Sequence, residues 1–247
     1  LTAQGEQLGK ATLAQLKALD KAANNLREHR TPNALTVTTP ASVAARWLLP
    51  RLHGFSATHP TFTLSVLAEQ RLLPPEEHGA DIALRMGRGP WPGVPAEPLM
   101  DDMLYPVMSP AYWRQLGEPG SPAQLNRAVL LHDRDPNAGW PQWAESFPGL
   151  GLDYAPGPRF DSSDLVLRAA IHGMGVALAR HRLVADDLAT GLLIRPFTDD
   201  AMHLPDAYWI VRPAQGRQRA AVDRLCEWLR EQAGMEALAP LGITPQR

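Results

Sequence analysis

The chain has 247 residues, a net charge of −2 and 45% apolar side chains, enough for one large domain or two small ones with a sizeable core. Its overall charge carries no signature of nucleic-acid binding. No stretch reaches the ~18–20 apolar residues of a membrane span, and the N-terminus lacks the apolar core of a signal peptide, so the expected setting is cytoplasmic, away from membranes.

Residues 5–29 read as one helix. Leu8, Thr12, Leu16, Leu19, Ala23 and Leu26 recur at spacings of four and three, close to a coiled-coil seam. Arg30-Thr31-Pro32-Asn33 then separates this helix from the globular part of the chain. Such a stripe packs either on a second copy of itself or on its own domain.

From residue 34 onward strands and helices alternate. Leu35 and Val37 alternate with threonines over a strand at 35–39. Thr38-Thr39-Pro40-Ala41-Ser42 offers hydroxyls to cap a helix at 42–57. There Val43, Trp47, Leu48, Leu52 and Phe55 fall at helical spacing. His59-Pro60 stops that helix, and Phe62, Leu64 and Val66 open a strand at 62–67. Further strands are expected at 80–85, 103–108, 128–131, 158–161, 175–178 and 207–212. Further helices are expected at 73–78, 109–116, 140–146, 162–173, 180–189 and 215–232. This alternation predicts α/β layering with largely parallel sheets. Residues 86–98 are rich in Gly and Pro and read as a surface loop. Cys226 is alone, which excludes an internal disulfide and a Cys-based metal site. Beside Leu225 and Trp228 it reads as a buried thiol.

No catalytic motif is present: there is no Gly-x-Ser-x-Gly, Walker loop, His-Glu-x-x-His or helix-opening Gly-x-Gly-x-x-Gly. The eight histidines are scattered without metal-ligand spacing. No catalytic residue, metal or cofactor is therefore assigned. Asp161 and Asp164 stand at a helix start, where capping explains them better than acid–base chemistry. The pattern that emerges is a binding site. Thr39, Pro40, Ala41 and Ser42 precede one helix, and Phe160-Asp161-Ser162-Ser163-Asp164 precedes another. Two hydroxyl-bearing helix N-termini that face one cleft suit a small polar or anionic ligand. Taken singly, each is an ordinary N-cap. His132 and Asp133 follow a strand; His132 is either a pH-sensitive pocket group or a solvated loop histidine. Trp140 and Trp143 share a helical face and read first as core.

Several segments resemble LysR-type transcription regulators. Leu1-Thr2-Ala3-Gln4-Gly5 is similar to the Leu-Thr-x-x-Gly that ends their winged helix-turn-helix. Trp47-Leu48-Leu49-Pro50-Arg51-Leu52 with His59-Pro60 resembles the start of their regulatory domain, and Gly79-Ala80-Asp81-Ile82-Ala83-Leu84-Arg85 resembles their Gly-x-Asp-Leu-Ala-Ile-Arg strand. Met86-Gly87-Arg88-Gly89-Pro90-Trp91, Phe160-Asp161-Ser162-Ser163, the run from Ala169 to Leu178, and Tyr208-Trp209-Ile210 resemble the subgroup of glycine-cleavage and β-lactamase regulators.

The resemblance implies an α/β fold of two Rossmann-like lobes joined by two crossover strands, of the type 2 periplasmic-binding-protein kind, preceded by a long linker helix. Residues 1–30 would be the end of the wing and the dimerisation helix. Residues 34–103 plus 212–233 would form lobe I, 104–211 lobe II with the crossovers, and 234–247 a loose tail. An effector would meet Thr39, Pro40, Ala41, Ser42, Arg85, Gly87, His132, Asp161, Ser162, Ser163 and Tyr208. Arg85 either grips a carboxylate in bidentate fashion or pairs with Asp81 or a loop acid. The implied partners are a small effector, a second copy or three more in a homodimer or homotetramer, and DNA through an N-terminal domain outside this sequence. The alternative is a solute-binding protein of a transporter, which shares the two-lobed cleft.

Overall fold

The computed structural model describes residues 2, 4–6, 8, 9, 11–13, 15, 16, 33–69, 75, 79–135, 138–147, 150–154, 156–198, 200–214 and 219–235. The described part of the N-terminal segment is helical, and Leu8, Leu13 and Leu16 on it are exposed. Of the proposed dimerisation residues, Thr12 is also exposed, while Leu19, Ala23 and Leu26 lie outside the described residues. So do most of the helix expected at 73–78 and the start of the one expected at 215.

Among the described residues seven strands form one sheet: β1 (Ala34–Thr39), β2 (Thr63–Ala68), β3 (Ile82–Met86), β4 (Ala96–Val107), β5 (Leu130–Leu131), β6 (Val176–Arg180) and β7 (Met202–Val211), in the order β2-β1-β3-β7-β4-β6-β5. The helices are α1, which runs through Ala41–Val43, a π-helical stretch Ala44–Leu48 and Leu49–Thr58; α2 (Pro110–Gln115); α3 (Trp140–Glu145); α4 (Ser163–Ile171); α5 (His181–Ala189); and α6 (Ala220–Met235). A 3-10 turn at Pro122–Arg127 was not anticipated.

The expectation of a largely parallel sheet needs correction. Pairing is parallel for β1–β2, β1–β3 and β5–β6, but antiparallel for β3–β7, β7–β4 and β4–β6. The cause is the pair of long central strands. β3 lies along the C-terminal part of β7, and β6 along the C-terminal part of β4. The β4–β7 pair thus runs through both halves of the sheet, with β2-β1-β3 on one side and β6-β5 on the other.

Both long strands begin earlier than expected, and the early part of each holds a proline. Pro98 and Pro205 sit where the β4–β7 register shifts, the positions at which a sheet tolerates a missing N–H. Pro205, Asp206 and Ala207 bulge opposite Asp101, whose Oδ1 accepts the Asp206 N–H at 2.8 Å. The strand expected at 158–161 is a single bridge between Arg159 and His132. Pro158 contributes only a carbonyl there, to the His132 N–H.

The core follows the patterns that predicted it. Leu35, Val37, Trp47, Leu48 and Phe55 are all buried. The Phe55 ring meets Trp228 of α6 at 5.1 Å, which docks that helix on α1. Trp140 and Trp143 are core residues of the other half, and each buried indole N–H finds a carbonyl, Leu131 O at 2.9 Å and Asp200 O at 2.7 Å. Cys226 is buried.

Candidate functional site

β1 and β3 end at Thr39 and Met86, while β6 ends at Arg180. β1 and β3 lie on one side of the central β7–β4 pair and β6 on the other; C-terminal strand ends are where open α/β sheets bind ligands. α1 leaves β1 there through Pro40, and α5 leaves β6 directly.

The first turn of α1 reaches across the seam between the two halves. Ser42 is buried, and its Oγ accepts the Asp164 N–H of α4 at 3.0 Å. A hydroxyl from one half therefore caps a helix of the other. Ser162 is the N-cap of α4, its Oγ accepting the Leu165 N–H at 3.4 Å. The Ser163 hydroxyl donates to Asp133. One turn along α1, Arg46 donates through Nε to Asp164 at 2.7 Å and through Nη1 to Asp187 and the Leu183 carbonyl of α5. The π-helical stretch, a feature common at functional positions, carries this arginine. Burial opposes ionisation of Asp164, but the guanidiniums of Arg168 and Arg46 outweigh it and hold the carboxyl below the usual carboxylate range. Burial pushes the Asp133 carboxyl up, against the hydrogen bond from Ser163.

A second polar cluster sits on the central strands. Asp102 is fully buried and accepts the Met103 N–H at 2.7 Å, the Arg182 N–H of α5 at 3.2 Å and the Tyr208 hydroxyl at 2.6 Å. Burial and this carboxylate push the Tyr208 phenol well above its ordinary value. The Arg180 guanidinium lies 5.9 Å from the Tyr208 ring centroid, and its Nη2 donates to Asp135 at 2.6 Å. Two buried side-chain atoms at the strand ends have no hydrogen-bond partner among the described residues: Thr39 Oγ1 and Arg180 Nη1. Leaving such groups unpaired costs about 1–3 kcal/mol each, and in a native fold they call for an explanation.

The other expected residues divide. Arg85 is buried and donates to Thr38 Oγ1 and the Leu84 carbonyl, both at 3.2 Å. It does not pair with Asp81, which accepts from Arg219 and from the Thr36 N–H instead. The acid whose field reaches Arg85 is Glu69. Gly87 is pinned to β7: its N–H donates to Ala207 O at 3.0 Å and its carbonyl accepts Trp209 Nε1 at 3.1 Å. Gly87, Arg88 and Gly89 form one wall of a cavity of about 300 Å³, with Arg180 and Met202–Ala207 on the other sides. A Cβ at Gly89 would meet the Trp209 ring at 2.6 Å, so this wall requires glycine. His132 is no solvated loop histidine. It is buried, its Nε2 lies 3.2 Å from Pro156 O, and it lines a separate cavity of about 320 Å³ with Asp133, Trp140, Tyr154 and Arg159. Asp161 is exposed. Among the described residues no three His, Cys, Asp or Glu side chains converge as a metal requires.

Sequence reasoning missed Arg46, Asp102, Asp135 and Arg180. Arg180 did leave a signal, because an arginine that closes an all-buried strand must find a partner. Arg46 also left one, four residues after Ser42 and so on the same face of the helix.

The profile of the LysR substrate binding domain family matches residues 29–234. The chain belongs to that family. It is 31% identical over 238 residues to the HTH-type transcriptional regulator DsdC of Escherichia coli K12, covering 94% of this chain and 76% of DsdC. It is 34% identical over 209 residues to the HTH-type transcriptional activator AmpR of Pseudomonas aeruginosa, covering 83% of this chain and 68% of AmpR. The effector domain of Pseudomonas aeruginosa AmpR superposes with a TM-score of 0.73 at 32% identity, covering 84% of this chain and 99% of that one. The AmpR effector binding domain from Citrobacter freundii gives 0.72 at 25% identity, covering 82% and 99%. These relatives regulate transcription, and the matched structures are effector domains. This LysR-family chain is the effector-sensing region of such a regulator, and the solute-binding-protein alternative falls.

Proposed function

We infer that the seam between β1/α1 and β6/α4 is the effector cleft of this regulator, and that its function is binding without catalysis. The observation that carries the reading is the pair of buried, unpartnered atoms, Thr39 Oγ1 and Arg180 Nη1, at strand ends on opposite sides of the seam. A small polar or anionic ligand supplies the missing partners. Ser42, Ser162, Ser163, Arg85, Gly87 and Tyr208 surround it, with Pro40 and Ala41 as the turn beneath. His132 and Asp161 stand further out.

In this reading residues 34–103 plus 212–233 form one lobe and 104–211 the other. Residues 1–30 pair with a second copy through Leu8, Thr12, Leu16, Leu19, Ala23 and Leu26, in a homodimer or homotetramer. Ligand binding shifts the population between lobe arrangements. That shift re-spaces DNA-binding winged helices attached ahead of residue 1, which read half-sites in the cytoplasm. No described helix is long and apolar enough to cross a membrane.

A thermal-shift screen of amino acids, small acids and cell-wall fragments tests the reading. The expected result is a saturable shift that Ser42→Ala weakens without loss of fold. A compound that binds Ser42→Ala as tightly as the wild type places the site elsewhere.

A further inference from the structure

Arg180 is only 4% exposed, yet it ends a strand at the seam and not in the core. One side of its guanidinium is spent: Nη2 is held by Asp135 at 2.6 Å. The Tyr208 ring, 5.9 Å away, is itself fixed by the Tyr208–Asp102 bond, so the guanidinium packs against a rigid face. Nη1 keeps its protons unmatched.

The same residue lines the cavity of about 300 Å³. The walls of that cavity are stiff. The Gly87–Gly89 wall is tied to β7 through the Gly87 N–H and through Trp209 Nε1, which also donates to Asp206 O at 2.6 Å. Arg88 stands exposed at the rim and makes no ion pair among the described residues. Charge then limits the class of guest. Of the two cations, Asp135 already neutralises one, and Asp206 places an exposed carboxylate on the same wall. These charges cancel, so a dianion meets uncompensated acids, and a single carboxylate is favoured only through the N–H groups that Nη1 leaves unmatched. A planar guanidinium with a free N–H edge suits a carboxylate, and the volume lies at the small end of ligand pockets.

We propose that this cavity is a carboxylate subsite, and that the effector is a small organic monocarboxylate of amino-acid size held by Arg180. The proposal rests on the reading of the seam as an effector cleft, and it goes further by fixing the ligand class and the residue that selects it.

The test uses the whole 247-residue chain. Melting is followed with acetate, lactate, pyruvate, and the D- and L-amino acids, each beside its primary amide, together with succinate and inorganic phosphate. At least one monocarboxylate should raise the melting temperature in a saturable way, while its amide at equal concentration does not. Arg180→Lys, which keeps the charge beside Asp135 but loses the planar fork, should weaken that binding at least tenfold. Arg88→Gln, a change at an exposed position, should weaken it less. Amides that match their acids, tighter binding of succinate or phosphate, unchanged affinity in Arg180→Lys, or a panel without any saturable binder would each overturn the proposal. A neutral compound that binds saturably and loses affinity in Ser42→Ala would keep the effector cleft and remove the carboxylate subsite.

Discussion

Thr39→Val removes one hydroxyl and preserves shape. Thr39 is wholly buried at the end of β1, and its Oγ1 has no partner among the described residues. An unpaired buried polar group costs about 1–3 kcal/mol, and valine is at least as well suited to a central strand. The variant should therefore stabilise the ligand-free chain by about 1 kcal/mol. For a chain of this size that is a rise of about 2–4 °C in midpoint. If the hydroxyl is kept unpaired for a ligand, the gain comes with a loss of binding. One missing hydrogen bond of about 1.4 kcal/mol weakens affinity about tenfold. Urea unfolding followed by tryptophan fluorescence, with and without a compound that stabilises the wild type, measures both effects. A variant less stable than the wild type by about 1 kcal/mol or more, or one that keeps the full ligand-induced shift, would refute the reasoning.

Arg46→Met leaves Asp164 and Asp187 without the cation that joins them, at side-chain exposures of 19% and 13%. Asp164 keeps Arg168, and losing a part-buried, charge-assisted hydrogen bond costs about 1.5–3 kcal/mol, so the urea midpoint should fall with an unchanged slope; a loss under about 0.5 kcal/mol, the scale of a surface pair, would contradict the stapling role. Ser42→Ala removes the hydroxyl that caps α4 and should cost about 1 kcal/mol; an unchanged midpoint would show that Asp164 N–H finds another acceptor at no cost. His181 has its pKa lowered, first by burial and then by Arg182 and Arg195, with Asp102 opposing. Its folded pKa lies below its unfolded one, so the unfolded state binds more protons in that interval and stability rises with pH there. The contribution is complete above the unfolded value of about 6.5 and is lost as pH falls below it. His181→Gln should flatten the stability profile just below about pH 6.5; an unaltered slope would assign it to other groups.

The sequence was readable where one element decides its own fate. β1 and α1 announced themselves through alternation and helical spacing, and Ser162 as an N-cap needs only its neighbours. It was unreadable where residues far apart decide together. The early halves of β4 and β7 hold Pro98 and Pro205, which sit at register shifts that only the paired strand defines. Ser42 read as a cap for its own helix, yet it caps α4, 122 residues away. Tyr208 was singled out, but its locking by Asp102, 106 residues earlier, leaves no local trace. Arg85 reads as a partner of a ligand, of Asp81 or of a loop acid, and only the fold gives Asp81 to Arg219. The stripe at 5–29 remains a sequence expectation beyond Leu16.

The central claim is that a small molecule is sensed at the seam between the two halves. Hydrogen–deuterium exchange, with and without a compound from the screen that stabilises the chain, locates the response most directly. Binding at the seam should slow exchange of the amides at Ala41–Val43 and at Ser163–Leu165 together, because both first turns face the ligand. Protection confined to the cavity at residues 138–141, or to one of the two turns alone, would contradict it.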